Sequence, residues 1–151
     1  MTELEFALNT FYLLMSGALV MWMAAGFTML EAGLVRSKNA SEIVTKNLGL
    51  FSIACVMYLT CGFFIMYPGD SAISSWIPGF SFSYLSLGME GQDMSYGSYS
   101  EASDFFFQVV FVATAMSIVS GAVAERMKLL PFFAFAVILT GFIYPVQGYW
   151  K

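Results

Sequence analysis

The stretch that decides the fold is residues 105–135, FFFQVVFVATAMSIVSGAVAERMKLLPFFAF. It opens with an apolar run without a charged residue, Phe105–Ala124, and continues through a short segment that carries Glu125, Arg126 and Lys128. A second apolar run starts directly afterwards, at Leu129. A bilayer core about 30 Å thick is crossed by about 20 apolar residues of α-helix. The stretch therefore predicts two membrane-spanning helices joined by a tight polar turn.

The rest of the chain repeats this pattern. Four charge-free apolar runs are long enough to span a bilayer: Phe6–Leu30, Asn47–Gly69, Phe105–Ala124 and Leu129–Tyr149. Hydrophobic residues make up 59% of the 151 residues and charged residues 11%, whereas soluble domains carry about 25% charged residues. We predict an all-α membrane protein, a polytopic helical bundle with transmembrane helices at approximately 6–30, 47–69, 105–124 and 129–150, and a long outer loop at 70–104.

The charges predict the orientation of the bundle. Five of the six basic residues lie between spans one and two or between spans three and four: Arg36, Lys38, Lys46, Arg126 and Lys128. The N-terminal segment and the 70–104 loop carry acidic residues and no Lys or Arg. Short loops rich in Lys and Arg face the cytoplasm. We therefore expect the N-terminus outside, the two basic loops inside, and a multi-pass protein of the cell membrane.

Several kinds of chemistry have no support in the sequence. The chain contains no histidine, which excludes histidine metal ligands and histidine acid–base catalysis within it. Cys55 and Cys61 fall on different faces of one predicted helix, too far apart for a disulfide, and fit small packing residues. No phosphate-binding loop or nucleophile motif is present. We expect no catalytic residues, no metal, no cofactor and no nucleic-acid partner, and we do not expect an enzyme.

Two acidic residues stand near the predicted cytoplasmic ends of spans one and three. Glu31 and Glu125 each lie close to the basic loops. A carboxylate at membrane depth is costly unless it is paired or hydrogen-bonded. Each can accept hydrogen bonds from backbone N–H groups at the start of the next helix, which would be a structural role. A proton-relay role is the alternative.

The third span carries an aromatic pair on one face. Phe107 and Phe111 are separated by one helical turn, so their rings meet on the same side, and Gln108 lies next to them. Thr114 and Ile118 continue this face as a mostly apolar stripe with one hydroxyl. The pattern is typical of a bundle core and equally of a pore for a small neutral molecule, and periodicity does not choose between them.

Three segments together resemble the ammonium transporter family, Amt/Mep/Rh: GFTMLEAGLVRSKNASEIVTKN at 26–47, the quoted stretch at 105–135, and IYPVQGYWK at 143–151. The resemblance implies about eleven spans in two inverted halves with the N-terminus outside. It also implies a homotrimer with one pore per subunit and a PII-type regulatory protein on the cytoplasmic face. The resemblance further implies that ammonium is recruited by cation–π contacts in an outer vestibule and loses its proton, and that ammonia then crosses an apolar pore.

The same resemblance assigns roles residue by residue. Phe111 matches the gating phenylalanine of the third span, and Phe107 matches a vestibule aromatic, with Gln108 beside it. The remaining matches are pore-wall positions, Thr114 and Ile118 on span three and Phe27 and Leu30 on the inner part of span one. Glu31 occupies a position where some family members have tyrosine.

The resemblance also indicates whether the chain is a whole protein or part of a longer one. Trp150 matches the first tryptophan of a family motif whose second tryptophan, the recruiting one, would follow Lys151. We therefore expect the chain to be the N-terminal part of an ammonium transporter domain, with four of about eleven spans. Two alternatives remain open: the membrane part of an ammonium-sensing fusion protein, and a complete four-span membrane protein.

Overall fold

The computed structural model describes residues 3–68, 73–74, 76–79 and 98–150, so most of the predicted outer loop 70–104 lies outside the described residues. Within the described residues, four helices are long and apolar enough to cross a membrane: α1, Glu3–Leu34; α2, Ser37–Met66; α3, Glu101–Ala122; and α4, Leu129–Tyr149. The described residues contain helices and turns and no β-strand. The prediction of an all-α bundle with four membrane-length helices is confirmed.

Helix α3 begins before the apolar run that predicts it. Ser100 has extended backbone angles and immediately precedes the first turn, in which Glu101 and Asp104 stand. Acidic side chains are favourable at a helix N-terminus because the unpaired N–H groups there carry partial positive charge. The helix ends at Ala122, and Glu125 beyond it takes a left-handed conformation with φ of 59°. The final part of the predicted 70–104 loop is therefore helical.

Helices α1 and α3 run parallel and in register. Asn9 Nδ2 donates to the Ser98 carbonyl at one end, Ser120 Oγ donates to Glu31 further along, and Arg36 pairs with Glu125 at the other end. In each pair the two residues are 89 positions apart. A constant separation means that neither helix slips along the other. We call the end near Asn9 the acidic end of the bundle and the end near Arg36 the basic end.

Helix α3 lies at the centre of the bundle. Its Val112, Ala113 and Met116 side chains are fully buried between the other helices. In the most apolar 18-residue stretch of α3, half of the residues are buried, whereas in that of α1 only 11% are. The outer face of α1 carries exposed apolar side chains. Toward the acidic end, the Tyr58 ring contacts the rings of Phe63 and Phe105 at centroid distances of 6.1 and 5.6 Å. Aromatic packing therefore fills the core at this end.

Two π-helical segments face each other, one within α2 and one within α4. They are Tyr58–Gly62 and Leu139–Ile143. The Cys61 thiol lies 3.6 Å from the Gly141 carbonyl oxygen, so the two backbones approach closely. A Cβ on Gly62 would lie 2.6 Å from the Tyr58 ring and 3.1 Å from Pro145. The glycine is needed here because the π-helical turn leaves no room for a side chain between the helices.

Gly62→Ala is therefore expected to destabilise the bundle by about 1–3 kcal/mol, the usual cost of overpacking a filled core. Gly26→Ala on α1 is the matched control, because a Cβ there meets no atom within 4 Å. That control should be neutral or stabilising by up to about 1 kcal/mol, since alanine favours the helix over glycine. Unfolding in mixed micelles measures both variants, and equal effects would contradict the close packing of the π segments.

Candidate functional site

The aromatic pair predicted on the third span forms on α3. The rings of Phe107 and Phe111 are 4.8 Å apart between centroids with an interplanar angle of 62°, and both side chains are half-buried. Gln108 is buried beside them, and its Nε2 donates to the Tyr67 hydroxyl oxygen at 3.3 Å. The pair thus stands on a partly open face of α3, next to an ordered polar group.

Further polar residues lie beside this pair at the acidic end. They were not among the predicted site residues. Tyr67 directly follows α2, and buried Asp104 lies in the first turn of α3. Burial raises the pKa of Tyr67 well above its ordinary range, and the charge of Asp104 with its hydrogen bond raises it further. Burial, followed by the charge of Asp104, also raises the pKa of Tyr99. Tyr67 therefore keeps its proton and can donate to Asp104 while it accepts from Gln108.

The rest of the predicted pore-wall stripe on α3 is partly buried and partly open. Thr114 is buried, and its hydroxyl donates to the Val110 carbonyl of its own helix at 2.9 Å. Ile118 is 56% exposed. The hydroxyl is therefore satisfied internally, so the face toward the basic end presents hydrocarbon rather than a free polar group.

Phe27 and Leu30 lie on α1 toward the basic end. Phe27 is half-buried and Leu30 is 56% exposed. Among the described residues, the structure shows no hydrogen bond or ring contact that joins either one to the α3 stripe. Gln108 is thus brought together with Tyr67 and Phe107 with Phe111 at the acidic end, whereas Phe27 and Leu30 lie toward the other end of the bundle.

A buried polar cluster lies where α1, α2 and α3 meet near the basic end. Glu31 is 3% exposed, and its Oε2 accepts from Asn47 Nδ2 at 3.0 Å and from Ser120 Oγ at 2.8 Å. Lys46 Nζ lies 3.5 Å from the same oxygen. The carboxylate thus bonds to side chains of the neighbouring helices, whereas the sequence analysis expected backbone N–H donors. We call Glu31, Lys46, Asn47 and Ser120 the inner polar cluster.

Lys46 was predicted to lie in a basic loop, and this prediction is wrong. Lys46 lies within α2 and is 6% exposed. Its Nζ donates to the Ser120 carbonyl at 3.1 Å and stands 5.1 Å from the centre of the Phe132 ring. A buried ammonium needs a counter-charge and acceptors, and Glu31 and Ser120 supply them. The only sign in the sequence that Lys46 is buried with partners is its polar neighbour Asn47. The Asn47 side chain also bonds to Glu31.

Glu125 ties the two turns at the basic end together. Its Oε1 accepts from Asn39 Nδ2 at 2.8 Å, from the Arg36 backbone N–H at 3.2 Å and from Arg36 Nε at 3.3 Å. The Asn39 hydrogen bond, followed by those from Arg36, lowers the pKa of this carboxyl group below its ordinary value. Glu125 does accept one backbone N–H, but from the turn before α2 rather than from α4.

A cavity of about 260 Å³ opens beside this turn. It is lined by Asn39, Glu42, Ile43, Lys46, Glu125, Arg126, Met127, Lys128 and Leu129. Side chains of both charges line it. Among the residues that the structure describes, no three His, Cys, Asp or Glu side chains are grouped to hold a metal ion.

The membrane-length helices and the buried charged cluster define a multi-pass α-helical membrane protein. The chain belongs to the ammonium transporter family, whose sequence model matches residues 11–151. The expected family resemblance is thereby confirmed.

The chain is 34% identical to an ammonium transporter of Archaeoglobus fulgidus over 97% of its own length and 29% of that protein. It is also 34% identical to an ammonium transporter of Methanocaldococcus jannaschii, over 99% of the chain and 34% of the relative. A solved structure named as a sensor Amt protein superimposes with a TM-score of 0.82 at 32% identity, covering 99% of this chain and 35% of the other. The chain spans about a third of the length of these relatives.

Proposed function

We propose that the protein conducts ammonium or ammonia across a membrane, with its entrance at the acidic end of the bundle. The observation that carries the proposal is the stacked Phe107–Phe111 pair on a partly open face of α3, beside the buried Gln108. Membership of a transporter family supports the same conclusion and argues against an enzyme.

We assign separate tasks to the two ends of this face. A cation is attracted to the face of an aromatic ring within about 6 Å of its centre, so Phe107 would take part in recruiting ammonium. Phe111, one turn further in, would close the mouth of the pore. Carrying a charge into the bilayer is expensive, and Thr114 and Ile118 present mainly hydrocarbon. A neutral ammonia molecule suits that wall, to which Phe27 and Leu30 would contribute from α1.

The proposal also covers the orientation of the protein, its membrane, its assembly and its regulatory partner. The positive-inside rule places the basic end in the cytoplasm and the N-terminus outside, in a cell membrane. A whole protein of about eleven helices in two inverted halves, assembled as a homotrimer, follows from the family resemblance. So does a PII-type regulatory protein on the cytoplasmic face.

A second candidate is the membrane part of an ammonium sensor. The likeness to the solved sensor Amt protein favours it, at a TM-score of 0.82. A sensor would bind ammonium at the same aromatic pair and change the activity of an attached signalling domain. Ammonium uptake that persists when the signalling output is abolished would favour the transporter.

Phe111→Ala in the full-length protein tests the gate. We expect uptake per folded protein to change by about 2- to 30-fold, because losing the Phe111 ring also breaks up the aromatic pair in which Phe107 would make a cation–π contact of about 0.5–2 kcal/mol. Uptake of labelled methylammonium is measured in cells that lack their own ammonium transport and is divided by the amount of folded protein.

Phe132→Ala is the control for this measurement. Phe132 lies on α4 and is 1% exposed in the core, so its loss should lower the yield and thermal stability and leave uptake per folded protein nearly unchanged. If Phe111→Ala behaves like Phe132→Ala, Phe111 is a packing residue and the proposed gate is wrong.

A further inference from the structure

The cavity of about 260 Å³ at the basic end lies between the start of α2 and the turn before α4. Two of its charged side chains already have partners. Glu125 accepts hydrogen bonds from Arg36 and Asn39, and the buried ammonium of Lys46 lies 3.5 Å from a Glu31 oxygen. The charges of Glu125 and Lys46 are therefore compensated within the fold.

Three further charged side chains line the cavity, those of Glu42, Arg126 and Lys128. All three are exposed, and within the described part of the chain none of them makes a side-chain hydrogen bond or an ion pair. Two cations and one carboxylate give a net charge of +1. The cavity therefore offers two uncompensated cationic side chains to an anion.

The start of α4 adds donors at the same place. The helix begins at Leu129, which lines the cavity, and Lys128 before it makes no side-chain cap. The first turn carries no acidic residue. The first N–H groups of a helix have no partner within it and carry partial positive charge, which favours a phosphate group. They add to the attraction that Arg126 and Lys128 exert on an anion.

The cavity also lies where the bundle changes from polar to apolar surface. The charge-free run of α4 starts at Leu129, so the span enters the hydrocarbon at this level. Beside it, Leu130 is 81% and Met127 is 40% exposed. A phospholipid presents a phosphate and acyl chains together at this depth. Basic pockets between membrane helices bind the headgroups of anionic lipids.

We propose that this cavity binds the phosphate of an anionic phospholipid. Arg126 and Lys128 hold the phosphate oxygens by charge-assisted hydrogen bonds, which are stronger than bonds between neutral groups. The acyl chains lie along the apolar surface that begins with the exposed Leu130. The ligand is a lipid of the leaflet at the basic end and not the conducted molecule, so the inference does not rest on the proposed function.

Native mass spectrometry of the full-length protein in a neutral detergent, titrated with phosphatidylglycerol, measures the affinity for the first bound lipid. Arg126→Gln and Lys128→Gln should each weaken this binding by about fivefold, the usual contribution of one basic side chain near an anionic lipid. Lys38→Gln is the matched control, because Lys38 is exposed at the same end and does not line the cavity. It should leave the affinity nearly unchanged. Equal weakening in all three variants would show a general surface attraction and overturn the site.

Glu42→Gln keeps the proposal testable if Arg126→Gln or Lys128→Gln folds poorly. This variant removes the uncompensated carboxylate that opposes the phosphate. It should strengthen phosphatidylglycerol binding by up to about fivefold, the size of an exposed charge–charge interaction. A gain in affinity cannot come from a loss of folding. An unchanged or weaker affinity in Glu42→Gln would refute the site.

Two further ligands identify the source of the phosphate. Phosphatidylcholine carries the same phosphate with a compensating positive charge and should bind more weakly than phosphatidylglycerol. Equal affinity for the two lipids would show that Arg126 and Lys128 do not select the ligand, which would contradict the proposal. Inorganic phosphate lacks acyl chains and should not displace the lipid at equal concentration. Displacement would assign the cavity to free phosphate and disprove the lipid site. None of these outcomes depends on ammonium uptake.

Discussion

Lys46→Met is expected to lower the free energy of unfolding by about 3–5 kcal/mol, because removing one partner of a buried ion pair leaves the other charge uncompensated. Glu31 would retain Asn47 and Ser120 as donors and lose its counter-charge. The methionine fills a similar volume, so the loss reports the charge rather than a cavity. Equilibrium unfolding in mixed micelles measures the change.

The double variant Glu31→Gln with Lys46→Met separates pairing from packing. If the two charges compensate each other, the double variant should lose clearly less stability than the sum of the two single losses. Lys38→Met is the matched control, since Lys38 is exposed at the same end of the bundle, and it should change the stability by less than about 0.5 kcal/mol. Additive losses at Glu31 and Lys46 would contradict the ion pair.

Phe132→Ala carries the second large expected effect, a loss of about 3–5 kcal/mol, the usual cost of truncating a buried aromatic side chain. Phe132 packs in a core cluster with Leu50, Met116 and Ala136, all of them fully buried. Thermal unfolding of the variant in the same micelles measures the loss.

Phe135→Ala on the same helix is the matched control. Phe135 is 36% exposed, so its truncation should cost far less than that of Phe132. The Phe132 ring also lies 5.1 Å from Lys46 Nζ, and combining Phe132→Ala with Lys46→Met should therefore give a non-additive loss. A Phe132→Ala variant no less stable than Phe135→Ala would contradict the core position of Phe132.

The inner polar cluster connects the stability of the bundle with its proposed function. Its charged pair joins α1 to α2, and Ser120 brings α3 to the same point. The three helices therefore share one electrostatic contact at the basic end, next to the face proposed to conduct. Variants at this cluster need normalisation to folded protein before any change in uptake is assigned to ligand binding.

Hydropathy was sufficient to predict the helices and their approximate positions, because the bilayer requires long uncharged runs whatever the packing between them. Their ends were harder to predict. Glu101 and Asp104 lie in the first turn of α3 and Lys46 within α2, since a charge is tolerated in a membrane helix wherever it finds partners. Counting charges along the chain does not reveal those partners.

Part of the candidate site was equally predictable. Phe107 and Phe111 meet because residues four apart on a helix are neighbours, and this contact depends on α3 alone. The partners of Gln108 and Glu31 come from other parts of the bundle. Gln108 bonds to Tyr67, which follows α2, and Glu31 bonds to Ser120 on α3. Such pairings depend on which helices become neighbours and on how far each is shifted along the bundle axis.

The sequence by itself thus determined the class of protein, the membrane-length helices and the aromatic pair, because each follows from local composition or from the period of a single helix. The tertiary structure decided the parallel register of α1 and α3, the burial of Lys46 against Glu31 and, among the described residues, the Glu31 oxygen left unpaired beside Gly121. These features join residues as far as 89 positions apart. Only the packing of the helices brings their side chains within hydrogen-bonding distance.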